Sequence, residues 1–84
     1  MTIFVLREPQ PERPADWFTI SKPIYEYGKD DLVPCTFHND TQNMDAIYVK
    51  YISRFELITG PYRFYWNAQD LYENANTELQ ADIQ

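Results

Sequence analysis

Fourteen aromatic residues, seven of them tyrosines, run almost end to end through a chain of only 84 residues. A chain this short buries a modest share of its surface, so its stability margin is small. Small secreted folds make up the deficit with several disulfides, but Cys35 is the only cysteine here. The rings are the remaining source of buried area, each worth on the order of 150–250 Å². The chain must therefore fold as one small domain around an aromatic core. A lone cysteine fits a reducing compartment, and the expectation is a cytoplasmic protein. The N-terminal apolar run Ile3-Phe4-Val5-Leu6 is too short for a signal-peptide core or a membrane span.

Charge narrows the choice of partner. Thirteen acids against seven bases give a net charge of −6, the wrong sign for gripping nucleic acid or an anionic membrane. The imbalance is uneven. Residues 23–49 set Lys29 against Glu26, Asp30, Asp31, Asp40 and Asp45. Beyond Arg63 there is no base, while Asp70, Glu73, Glu78 and Asp82 follow. Between these stretches lies a basic, tyrosine-rich segment with Lys50, Arg54 and Arg63. It is the only cluster suited to stacking on bases, and its acidic neighbours work against that use.

The pattern along the chain predicts an α+β fold. Ile3–Leu6 reads as a first strand. Glu8 to Pro14, with prolines at 9, 11 and 14, reads as an extended surface connector. Residues 17–38 read as a hairpin, interrupted by Pro23 and turning at Gly28-Lys29-Asp30-Asp31. Residues 46–58 carry two patterns. Ile47, Val49 and Tyr51 alternate as in a strand, while Tyr48, Tyr51, Ile52, Phe55 and Ile58 form a helical stripe. Strands at 46–52 and 55–58 are the preferred reading, and a helix over 44–58 is the alternative. Thr59-Gly60-Pro61 then turns into a strand beginning at Tyr62.

The clearest element is last. Asn67 is placed to cap a helix, with Asp70 where an acid favours the helix dipole. Ala68, Leu71, Tyr72, Ala75 and Leu79 fall on one stripe. Residues 80–84 read as a fraying tail. The expected architecture is an antiparallel sheet of four to five strands with one C-terminal helix packed on a face. The expected core comprises Phe4, Leu6, Phe18, Ile20, Val33, Phe37, Ile47, Val49, Phe55, Leu57, Phe64, Leu71 and Tyr72.

The candidate chemistry is thin. Cys35 and His38 are the only strong nucleophile and the only imidazole, and on a regular strand a spacing of three puts them on opposite faces. Zinc wants about four ligands, and no second Cys or His exists. Two glycines 32 residues apart make no phosphate-cradling loop. Glu56 is expected to pair with Arg54 or Arg63. The reading is accordingly non-enzymatic, with no catalytic residue, cofactor or metal.

What remains is protein binding. Small, acidic, glycine-poor aromatic domains of this type are common among viral and mobile-element proteins that block host factors. On that analogy the chain is expected to occlude a basic surface of a partner protein, with its carboxylates standing in for nucleic-acid phosphates. The expected binding residues are Asp70, Glu73 and Glu78 on the helix, Tyr65 as an exposed anchor, and Asp30 and Asp31 in the turn. The alternative is an assembly subunit that forms a homodimer through an exposed sheet edge or a tyrosine patch.

Overall fold

The computed structural model describes residues 1–39 and 45–74. Among them, five strands form one antiparallel sheet: β1 (Ile3–Arg7), β2 (Asp16–Ile20), β3 (Leu32–His38), β4 (Ala46–Ser53) and β5 (Tyr62–Tyr65). Their order across the sheet is β4-β3-β2-β1-β5. A short helix, α1 (Arg54–Thr59), joins β4 to β5. A C-terminal helix, α2, covers 68–74 of the described residues and packs on the β1/β5 side. The α+β architecture with its C-terminal helix is as the sequence predicts.

Register assigns every side chain to a face, because residues directly opposite one another share one. Val5 faces Phe18 on one side and Phe64 on the other, and Val33 faces Ile52. On that first face Ile3, Val5, Phe18, Ile20, Val33, Cys35 and Ile52 form the larger core, closed by Leu57 of α1. The second face carries Phe4 and Leu6, buried with Ala15 and with Leu71 of α2. β1 is therefore buried on both faces, which explains an unbroken apolar run where a half-buried strand would alternate.

The connections differ from expectation in three places. The 8–14 segment is not extended. Gln10 and Arg13 exchange backbone bonds of 2.8 and 3.0 Å, so the chain doubles back at Pro11-Glu12, where proline's fixed φ suits a turn corner. The run after Ile20 does not stay a strand. Ile24–Glu26 is a single 3-10 turn, and Asp31 closes the next turn by accepting Gly28 N–H at 2.7 Å. The ambiguous segment splits, with 46–53 as strand and 54–59 as helix. Ser53 is the hinge, its Oγ accepting Glu56 N–H at 3.1 Å.

Four residues expected in the core lie outside it. Ile47, Val49, Phe55 and Tyr72 are 49–71% exposed. Phe55 is exposed because α1 turns Leu57, rather than Phe55, onto the sheet. Ile47 and Val49 are exposed because β4 is an edge strand that no described helix covers. Phe37 and Phe64 are partly buried against the main core. Ile3, Val5, Ala15 and Ile52 are core residues that the sequence reading omitted, and Cys35 is buried with them.

Gly60 sits where the chain leaves α1, its N–H closing on Glu56 O at 2.7 Å. A Cβ there would stand 2.7 Å from that same carbonyl oxygen and 2.9 Å from the Tyr62 ring. Close approach, rather than a left-handed backbone, makes glycine the fitting residue.

Candidate functional site

β4 is the most unusual element. Its first six residues, Ala46 to Tyr51, are all exposed, and only Ile52 reaches the core. Ile47, Tyr48, Val49 and Tyr51 stand 60, 52, 49 and 64% exposed. Among the described residues β4 pairs with β3 alone, on one side, so its outer backbone groups are open to another chain. Natural edges are usually blunted by charge, proline or brevity. This one is eight residues long, with no proline and one lysine, Lys50.

The apolar character continues around the edge onto the second face. Leu32, Val49 and Tyr51 lie there together by register, and Leu32 is 63% exposed. α2 covers that face at β1 and β5, and no described element covers it at β3 and β4. Acids border the strand at both ends. Asp45 precedes it, and at the far end Asp31 O accepts Arg54 N–H at 3.0 Å.

The expected binding residues do not form one site. Asp70 and Glu73 are exposed on α2. Asp70 N–H bonds Asn67 Oδ1 at 2.8 Å, and the Asn67 amide donates back to Asp70 Oδ2 at 3.3 Å, the expected cap. Tyr65 is half-buried against the Phe4–Leu6–Leu71 cluster, so the exposed rings beside it are Tyr25 and Trp66. These three line an apolar cleft of about 210 Å³ with Ile3, Pro23 and Phe64. Asp30 and Asp31 lie in the turn that leads into β3, on the β3/β4 half of the sheet, where Asp31 O accepts Arg54 N–H, whereas α2 packs at the β1/β5 half. Glu78 falls outside the described residues. The β4 edge itself went unrecognised because a central strand and an edge strand carry the same β-rich composition.

The remaining polar groups make contacts within the fold. Cys35 is fully buried on the first face, and burial pushes its thiol up to about 11. His38 lies on the opposite face, bonded through Nε2 to Thr19 Oγ1 at 2.7 Å and stacked on Trp17 at 5.4 Å. A register shift does occur between Phe37 and His38, but it leaves the two side chains apart. Glu56 pairs with neither arginine. Its Oε2 accepts the Tyr62 hydroxyl at 3.1 Å, while Arg63 bonds Glu8 at 2.6 Å. Arg54 Nε instead donates to Ile24 O at 3.4 Å. Burial first, and the bond to Glu56 second, push the Tyr62 hydroxyl up to about 12. Among the described residues no group of three or more His, Cys, Asp or Glu is placed to hold a metal ion. Among them, too, no helix is long and apolar enough to cross a membrane.

Comparison with protein-family models, curated proteins and solved structures finds no match to this chain.

Proposed function

We propose that this chain is a non-enzymatic protein-binding module that adds its β4 edge to an extended segment of a partner and so occludes the partner's surface. One observation carries the reading: an eight-residue edge strand without proline, whose Ile47, Tyr48, Val49 and Tyr51 are half exposed or more. Backbone bonds along the open edge supply affinity, and alternating side chains supply selectivity. The partner is a protein with a basic surface around that segment. The net charge of −6 and the acids at both ends of β4 favour it. Two copies of the same acidic chain repel one another, which places the homodimer second.

The test compares the wild type with Val49→Lys, which puts a charge on the edge, and with Asp70→Asn/Glu73→Gln on α2. Capture from native lysate is run at low and high salt, and the captured protein is then added to the free chain for amide hydrogen exchange. Capture is expected to weaken steeply with salt and to be lost in Val49→Lys. Protection of 46–51 on complex formation is also expected. Capture that survives Val49→Lys but fails in the α2 variant moves the site to the helix. A molar mass that doubles with concentration, and returns to monomer in Val49→Lys, replaces the hetero-partner with a second copy.

A further inference from the structure

Three of the chain's seven bases converge on one small cavity on the first face of the sheet. Arg7 from β1, Arg13 from the doubled-back connector and Lys50 from β4 line a space of about 90 Å³. Its floor is aromatic. Phe18 packs on Phe37 at 5.0 Å, and Phe37 stacks on Tyr48 at 4.6 Å and 6°. Asp16 of β2 and Glu56 of α1 also reach the wall, so the cavity holds three positive and two negative groups in a chain that is −6 overall.

Arg7 is the anomaly. It is 9% exposed. Its Nη2 donates to Pro14 O at 2.7 Å, but Nη1 is buried with no hydrogen-bond partner. Register sets Arg7 directly opposite Asp16 and Tyr62. Even so, the ion pair seen among the described residues is Arg63–Glu8, not one at Arg7. Glu56 is engaged by the Tyr62 hydroxyl. A buried guanidinium with an idle donor and no described carboxylate within ion-pair distance is costly. An oxyanion drawn into the cavity by Arg13 and Lys50 would satisfy it once the guanidinium turns its Nη1 toward the anion.

We propose that this cavity is a binding site for a phosphate group, held by Arg7, Arg13 and Lys50. The carboxylates select among anions. A singly protonated phosphate can donate its remaining proton to Asp16 or Glu56, whereas sulfate has none to give. The space admits the anionic head alone, either as free phosphate or as the phosphoryl end of a larger molecule. The site borders the β4 edge through Lys50 and Tyr48, whereas Arg7 and Arg13 lie off that edge.

Isothermal titration calorimetry at about pH 5.5, where inorganic phosphate and glycerol 3-phosphate both keep a proton and sulfate has none, tests the assignment with those three probes. Saturable one-to-one binding of phosphate is expected, with a melting temperature that climbs as phosphate is added. Arg13→Ala and Lys50→Ala, both exposed and dispensable to the core, should each weaken binding about tenfold or more. Arg63→Ala, whose arginine pairs with Glu8 on the other face, should bind as the wild type does. Equal affinity for glycerol 3-phosphate identifies the phosphoryl end of a larger molecule as ligand, and preference for inorganic phosphate identifies the free ion. No saturation by about 10 mM, wild-type affinity in both alanine variants, or sulfate binding as tightly as phosphate would each overturn the assignment.

Discussion

β1 and β4 are both rich in apolar residues, and they meet opposite fates. Ile3-Phe4-Val5-Leu6-Arg7 is buried at every position, while Ala46 to Tyr51 is exposed at every position. Composition does not separate them, and strand order does. β1 sits between β2 and β5 with α1 on one side and α2 on the other, whereas among the described residues β4 has one neighbour and no helix over its outer half. A strand with so many apolar residues in water is held by its pairing with β3, by Tyr48 stacked on Phe37 and by Ile52 in the core. Such a strand is most simply understood as a surface held ready for another chain.

The largest expected effect sits in β1. Leu6→Ala empties a fully buried site between the sheet and α2. It should cost about 2–5 kcal/mol, read as a lower urea midpoint at unchanged slope. A loss below about 1 kcal/mol would mean that α2 contributes little to the second core and that β1 resembles β4 more than its burial indicates.

Protonation locates the boundary between the dry and wet halves. Cys35 of β3 lies directly opposite Lys50 of β4, yet it is fully buried, and its thiol is pushed from 9.0 to about 11. A raised folded-state pKa means the fold excludes the thiolate. Its contribution is intact below about pH 9 and is lost as pH rises through 11. Tyr62, pushed from 10.0 to about 12, adds a loss of the same sign at higher pH. Urea midpoints at pH 7.5, 9 and 10.5 should fall progressively, and Cys35→Ala should flatten the first part of that fall. An unchanged slope in the variant would place the wet boundary on the near side of β3.

How much of this was legible beforehand follows the same division. β1 could be read from an unbroken apolar run, and α2 from Asn67, Asp70 and the Ala68–Leu71 spacing, because local pattern and tertiary role agree there. Residues 46–58 defeated a single label because the period changes inside them. The signal for the change was present in Ser53-Arg54-Phe55-Glu56, a serine followed three residues later by glutamate, which marks a helix start. Reading it would have ended the strand at 53 and turned Leu57, not Phe55, inward. The exposure of β4 and the meeting of Arg7, Arg13 and Lys50 had no local signal. Both depend on which strands become neighbours, and charges 37 residues apart share a cavity only after the sheet is assembled.

The Ser53 cap tests whether β4 is held at its C-terminal end alone. Ser53→Ala removes the acceptor for Glu56 N–H and should cost about 1 kcal/mol. If α1 and Ile52 are what fasten β4, amide exchange should quicken along 46–51 more than along β1. Uniform acceleration across both strands would show that β4 opens only with the whole domain.

The smallest effect on stability should come from Val49→Ala, at most about 0.5 kcal/mol, because half of that side chain already faces solvent. The same position should govern association, since Val49 lies at the middle of the open edge. Each outcome of the pair Leu6→Ala and Val49→Ala therefore bears on the contrast between the strands. A costly Val49→Ala would mean that β4 is packed in solution, by this chain or a second copy, and that its edge is not available to another protein. A neutral Val49→Ala beside a Val49→Lys that folds but no longer captures its partner would separate the strand that builds the domain from the strand that uses it.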